Sequence, residues 1–203
     1  LTVTDSTISG NKAVTGGGIY NLGTMTVSNS TFLGNTSTWG GGIYHQGPSS
    51  TVTNSTFFNN SATTIAGGGI NNETTMTVRN STFSGNSAPS NNGGGIYNHG
   101  TLIFANNIIA NSTSGGDCRN GATISSNINN LVEDGTCNAG TTLQNFKTGD
   151  PSLVPLADNG GPTQTMALQP GSSAIDAGDT ATCAASPVSN KDQRGVTRPQ
   201  GAG

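Results

Sequence analysis

Two short markers recur in phase along the first half of this chain, and their shared period restricts the fold to a stack of supersecondary units. The first is Gly-Gly-Gly-Ile, at residues 16–19, 40–43, 67–70 and 93–96, with starts 24, 27 and 26 residues apart. The second runs Asp5-Ser6-Thr7-Ile8, Asn29-Ser30-Thr31-Phe32, Asn54-Ser55-Thr56-Phe57 and Asn80-Ser81-Thr82-Phe83, then a degenerate Asn106-Asn107-Ile108-Ile109. Composition alone does not hold two markers in one phase over four units. A fixed period in this range means repeats that each bury a face against the next.

Aligning the units on the Asp5/Asn29/Asn54/Asn80/Asn106 column exposes the pattern of each repeat. Two residues earlier stand Val3, Val27, Val52, Val78 and Phe104; three residues later stand Ile8, Phe32, Phe57, Phe83 and Ile109. Thr2, Thr26, Thr51 and Thr77 lie between apolar neighbours, giving the period-two alternation of a half-buried strand. No segment carries a 3.6-residue period. Each coil therefore reads as three short strands: one of the Thr-Met-Thr-Val type, one centred on Phe32, Phe57 or Phe83, and one on Gly-Gly-Gly-Ile-Tyr with Ile19, Ile43, Ile70 or Ile96. Stacked in register at the ordinary interstrand spacing of about 4.8 Å, such coils make a parallel β-helix, all-β in class, with roughly 25 residues per turn.

Asparagine is a poor strand former, so its phasing calls for a cause. Asn29, Asn54 and Asn80 share one column; Asn11, Asn35, Asn60 and Asn86 share another. Both columns are expected to form ladders in which each side-chain amide bonds those above and below, with Asn also tolerating the αL conformation of a sharp corner. Sequons overlap the first of these columns, where an inward amide has no room for a glycan. The triple glycines allow positive φ and close backbone approach.

Only 8% of the 203 residues are charged, and the net charge is −3. Residues 1–116 contain just Asp5, Lys12, Glu73 and Arg79. That pattern carries no electrostatic footprint for nucleic acid, and no apolar run reaches the roughly 18 residues of a membrane span. Past residue 113 the repeat decays. The chain divides into repeat coils over residues 1–114 and, over residues 115–203, a terminal coil, a loop and an irregular C-terminal module. Cys118 and Cys137 flank residues 119–136, read as an irregular insert. The two cysteines either staple that loop as a disulfide, in an oxidising compartment, or belong to a metal pair, for which no histidine stands near. Cys183 is left over.

Catalysis on this scaffold requires clustered carboxylates. Asp5 and Glu73 are the only acids of the first four coils, two or more coils apart, and cannot pair across a glycosidic bond. His45 and His99 are expected to be solvated turn residues. Asp176, Asp179, Asp192 and Arg194 form the densest charge group, expected to cap turns and lock the terminal module, with calcium binding as the alternative. No catalytic residue, cofactor or resident metal is expected.

The C-terminal motifs Asp158-Asn159-Gly160-Gly161-Pro162-Thr163, residues 168–178 and residues 192–199 resemble the terminal module of bacterial right-handed parallel β-helix surface proteins of the choice-of-anchor Q type. The Phe-x-x-Asn and Gly-Gly-Gly-Ile repeats are similar to those of polymorphic outer-membrane proteins. These resemblances imply a right-handed coil, an extracellular or cell-surface location in a bacterium, and adhesion. They also imply that Cys183 bonds a cysteine in a Cys-Asp-Ile-Gly-Ala segment beyond the Arg-Pro pair, a segment this chain lacks.

The functional expectation is a non-catalytic structural or adhesive β-helix. Its open first coil, Leu1 to Thr4, is expected to be covered by another copy, head to tail, or by further coils. Alternatives are carbohydrate binding through an outward column of Tyr20, Tyr44 and Tyr97, a glycan-degrading enzyme, or ice binding through the outward threonines. A surface glycan or host receptor is the expected partner of the adhesive reading.

Overall fold

A computed structural model describes residues 1–138 and 146–198 of the chain. Among these residues nearly all regular structure is parallel strand, in sheets of six, six and five members with a two-stranded supplement. The first sheet stacks Thr2–Thr4, Met25–Ser28, Ser50–Thr53, Thr75–Arg79, Thr101–Ala105 and Thr123–Ile128. The second stacks Thr7–Ser9, Thr31–Leu33, Thr56–Phe58, Thr82–Ser84, Ile108–Ala110 and Leu131–Val132. The third stacks Ile19–Asn21, Ile43–His45, Ile70–Asn72, Ile96–Asn98 and Cys118–Asn120. Each chain turn visits the three sheets in order, and about five such turns form a β-solenoid.

Register follows the sequence columns. Val27 pairs with Val3 and Val52, Phe57 with Phe32 and Phe83, and Ile70 with Ile43 and Ile96. The inward residues of all three sheets meet in one core. Phe32, Phe57 and Phe83 stack face to face with centroids 4.6 Å apart and rings nearly parallel. A one-residue slip would turn this whole set outward, so burial fixes the register.

The corners are set by three columns of left-handed residues, one of them Gly10, Gly34, Asn59, Gly85 and Asn111. Asp5, Asn29, Asn54, Asn80 and Asn106 all lie at φ between 46° and 55°. Gly67 turns the chain into the third sheet at φ +69°, and Gly68 after it lies where the next coil's backbone approaches too closely for a Cβ.

Three side-chain ladders run along the stack. Asn11 Nδ2 donates to Asn35 Oδ1 at 3.0 Å, Asn35 Nδ2 to Asn60 Oδ1 at 2.9 Å, and Asn60 Nδ2 to Asn86 Oδ1 at 3.0 Å. Each of these oxygens also accepts the backbone N–H of the preceding rung. A second ladder, of Ser30, Ser55 and Ser81, passes into Asn107 and Asn130, each oxygen taking the N–H of the rung before it. A third lies in the last sheet, where Asn72 donates to Asn98 at 2.7 Å and Asn98 to Asn120 at 2.8 Å.

The Asn29/Asn54/Asn80 column does not form the inward ladder expected of it. Its left-handed backbone turns the amides toward the C-terminal module. Asn54 Nδ2 contacts Asn29 Oδ1 at 3.4 Å and also donates to the Lys191 carbonyl at 3.0 Å. Asn80 and Asn106 instead direct Nδ2 to the Cys183 sulfur, at 3.7 and 3.4 Å.

Residues 119–136, expected to be an irregular insert, continue the solenoid. Cys118–Asn120 pairs with Ile96–Asn98, Thr123–Ile128 with Thr101–Ala105, and Leu131–Val132 with Ile108–Ile109. Cys118 takes the inward isoleucine position and is disulfide-bonded to Cys137, with Cα atoms 4.8 Å apart. In the chain-entropy account a loop of this size contributes about 3 kcal/mol. Asp117 and Asp134 close this coil reciprocally, each accepting the other's backbone N–H. Burial, despite hydrogen bonds from Ser112, raises the Asp117 carboxyl above its ordinary range. Phe146 packs near Phe104 and Lys147 bridges Leu131, so this end of the stack is covered. At the other end Leu1, Val14 and Leu22 are largely exposed.

The C-terminal module runs back along the outer face of the second sheet. Thr31 Oγ1 donates to the Gln164 carbonyl, Thr163 Oγ1 to that of Asn29, and Thr56 Oγ1 to Gln193 Oε1. Gln193, 8% exposed, donates in turn to Thr31 and Thr163. Pro199, the last residue of the motif beginning at Asp192, lies outside the described residues.

Candidate functional site

The outward face of the third sheet carries the aromatic side chains of the solenoid's surface column. Strand register aligns Tyr20, Tyr44, Asn71, Tyr97 and Arg119 in one column. The residues two positions further on, Gln46, Glu73 and His99, each take the backbone carbonyl of the coil before and run beside it. Tyr20 and Tyr44 have centroids 5.4 Å apart, and the Tyr20 hydroxyl donates to Gln46 Oε1 at 3.2 Å. Trp39, which the repeat columns do not mark, meets Tyr44 edge-on at 6.2 Å. The signal for it is its place just before Gly40, where the chain turns into this sheet. Burial, with help from the Glu73 and Tyr20 charges, raises the Tyr44 hydroxyl above its ordinary range and keeps it a donor.

Where the tyrosine row is broken, Asn71 is fully buried although its position faces outward, so its larger neighbours close over it. Neither its Oδ1 nor its Nδ2 has a hydrogen-bond partner. Below it Glu73 Oε2 and His99 Nδ1 lie 3.1 Å apart. His99 is exposed as expected, but it does have an acid one coil away, which the sequence reading did not pair with it.

His45 is not a solvated turn residue. It is a rung of the inward ladder of the third sheet, in register with Asn21 and Asn72, and it has no exposed surface. The Asn21 amide, oriented by its own bonds to Gly23, donates to Nδ1 at 3.0 Å. Nε2 lies 3.2 Å from the Thr75 carbonyl, which only accepts. These partners assign the proton to Nε2; the Ser50 hydroxyl, 3.1 Å from Nδ1, already accepts from the Asn21 amide and donates to the ring. Burial lowers the His45 pKa, outweighing the Thr75 bond.

The folded state thus holds His45 neutral, whereas the unfolded chain takes up a proton as pH falls through roughly 6.5. Stability present above that pH is lost below it. Between about pH 7.5 and 5 the wild type is expected to lose more stability than His45→Asn, the loss growing as pH falls below the ordinary imidazole range. Thermal melts of both proteins at the two pH values measure this. Equal losses would remove His45 as the cause.

The acidic group near the C-terminus is divided between two structural tasks. Asp179 caps the short helix Thr180–Ala184, its Oδ1 accepting from Thr182 N at 2.7 Å. Asp192 Oδ2 accepts from the guanidiniums of both Arg194 and Arg198, at 2.7 and 2.6 Å. Burial pulls the Asp192 carboxyl upward, but hydrogen bonds from the two arginines and from backbone N–H groups outweigh it and hold it below the usual range. Cys183 is a free, half-buried thiol. Among the described residues no group of three or more His, Cys, Asp or Glu side chains converges as a metal site.

The parallel coils, inward apolar columns and amide ladders define a solenoid, and a family model described as "Right handed beta helix region" matches residues 1–109, more than half of the chain. The chain belongs to the right-handed β-helix family. Comparison with curated proteins and with solved structures returned no match. Membership of the right-handed β-helix family fixes the scaffold, not a reaction, and function has to be argued from the face the scaffold presents.

Proposed function

We propose that this right-handed β-helix is a non-catalytic extracellular binding rod that adheres through the tyrosine flank of its third sheet to an extended glycan. The single observation carrying this reading is the in-register column of Tyr20, Tyr44 and Tyr97, braced by Trp39 and bordered by Gln46, Glu73 and His99. Aromatic faces take the apolar face of a sugar ring, and the bordering amide, carboxylate and imidazole bond its hydroxyls. Coil repeats of about 4.8 Å give the column a spacing close to one sugar unit per coil. Glu73, the acid of this flank, is engaged by His99, which favours binding over acid–base cleavage. The resemblance of the C-terminal motifs to bacterial surface proteins supports placing the rod outside the cell.

A glycan array, followed by titration of the best oligosaccharide against tyrosine and tryptophan fluorescence, tests the proposal. Tyr44→Ala is expected to weaken binding about tenfold while the protein still melts cooperatively. No glycan binding, or equal binding by the variant, would sink it.

The exposed apolar residues of the first coil favour one addition to this reading: a further coil or a second copy covers that edge. The cap on the opposite end obliges a head-to-tail copy to displace Phe146 and Lys147 from the last coil. Negative-stain micrographs over a dilution series distinguish filaments from single rods.

A further inference from the structure

A cavity of about 430 Å³ lies on a different face, between the outer surface of the second sheet and the returning C-terminal module. We propose that it binds a small monocarboxylate with an apolar body, the carboxylate on Arg198 and the apolar body along Ile108 and Leu168. Its volume falls in the usual range of small-ligand sites, roughly 300–1,000 Å³.

Three observations specify the ligand's chemistry. The first is apolar wall: Ile108 from the sheet, Leu153, Met166 and Leu168 from the module, and Ile175, which is 45% exposed. The second is an unbalanced positive charge. Among the described residues Asp192 is the only acid lining the cavity, and its Oδ2 is shared by Nε and Nη2 of both Arg194 and Arg198. Its other oxygen is taken by the backbone N–H groups of Arg194 and Val196. One carboxylate therefore answers two guanidiniums. Arg194 Nη1 is tied to the Asn159 carbonyl, but Arg198 Nη1 donates to none of the described residues. A guanidinium fork with an unused donor is suited to an incoming carboxylate.

The third observation is a buried acceptor in the same wall. Asn80 Oδ1 is inaccessible to solvent and has no hydrogen-bond partner, while its Nδ2 is directed to the Cys183 sulfur. A buried acceptor without a donor is costly. A ligand hydroxyl or N–H satisfies it once the Asn80 side chain, held only by the 3.7 Å contact of its Nδ2 to the Cys183 sulfur, turns into the cavity. Gln193, also in the wall, is saturated by Ser30, Thr31, Thr56, Thr163 and Gln164 and serves to hold the module in place.

The test uses the whole chain with decanoate and 3-hydroxydecanoate as probes and 1-decanol as the uncharged control, followed by calorimetry and by chemical shifts of the Ile108 and Ile175 methyl groups. Expected results are decanoate binding that perturbs both methyls, loss of about tenfold or more in affinity in Arg198→Gln, and little change for decanol. The 3-hydroxy acid is expected to bind more tightly than decanoate. Thr82→Trp, which fills the cavity while leaving Arg198 in place, is expected to abolish binding of all three; it keeps the proposal testable if Arg198→Gln unfolds. Absence of decanoate binding to the wild type, or binding that survives both substitutions, would overturn it. The cavity shares no residue with the tyrosine flank, so the glycan and carboxylate results stand or fall separately.

Discussion

Gly68→Ala is expected to prevent the solenoid from closing between its third and fourth coils. A Cβ on Gly68 would lie closer than 3.0 Å to the Gly94 carbonyl oxygen and to the backbone nitrogen and oxygen of Ser87. All three are main-chain atoms of the next coil, and they are not free to swing aside. The Gly94 oxygen accepts Gly69 N–H at 2.9 Å, and the Ser87 oxygen accepts Ala62 N–H at 2.9 Å. Relief therefore requires the two coils to separate, with loss of parallel ladder bonds on both sides of the corner. The expected cost exceeds about 4 kcal/mol, at the extreme of single substitutions. The protein should lose its cooperative melt or its soluble yield. Gly23→Ala is the control, because a Cβ there meets nothing within 4 Å and φ is ordinary. It is expected to stay within about 0.5 kcal/mol of wild type. A cooperative Gly68→Ala melt within a few degrees of wild type would show that the coil spacing relaxes far more easily than close packing allows.

Asn60→Ala is expected to have the next largest effect. Asn60 has no exposed surface; its Oδ1 accepts Asn35 N at 3.1 Å and Asn35 Nδ2 at 2.9 Å. Its Nδ2 donates to the Phe32 carbonyl at 2.9 Å and to Asn86 Oδ1 at 3.0 Å. Alanine removes all four bonds and leaves the Asn35 donors and the Phe32 carbonyl buried in the middle of the stack. At about 1–3 kcal/mol for each orphaned group, the loss is expected to be on the order of 4 kcal/mol. Chemical denaturation measures it. Asn80→Gly, in the other asparagine column, should cost under about 1 kcal/mol, because glycine keeps the left-handed corner and only the contact to the Cys183 sulfur is lost. Equal losses in the two variants would mean that both columns serve the stack in the same way.

That contrast marks how far the sequence can be read. Asn60 and Asn80 look alike in the repeat: both are phased, both sit near strand ends, and both have asparagine neighbours one period away. Their roles separate only through the local backbone. Asn80 is itself the left-handed corner residue and turns its amide outward. Asn60 follows the left-handed Asn59 and turns its amide in. His45 was obscured for a related reason. It replaces asparagine in a ladder column, and a lone histidine beside a tyrosine and a glutamine reads as a solvated turn until the register places it opposite Asn21 and Asn72. The coil of residues 119–136 was missed because Cys118 substitutes for the marker isoleucine and Asp117 for the third glycine, which erases the motif while preserving the inward position.

The amino-acid sequence alone determined the architecture: the coil length, the three strands per coil, the pairing of Val27, Phe57 and Ile70 with their equivalents, and the tyrosine column. It did so because an in-register parallel stack brings together residues one period apart, so a repeat in sequence is already a contact list in space. Only the tertiary structure decided how the last 50 or so residues fold back over the second sheet. Their contacts join Thr31 to Gln164, Asn54 to Lys191 and Thr56 to Gln193 across 133 to 137 residues of chain. No period relates those pairs. The cavity beside Arg198 follows from that docking and from nothing repeated in the sequence.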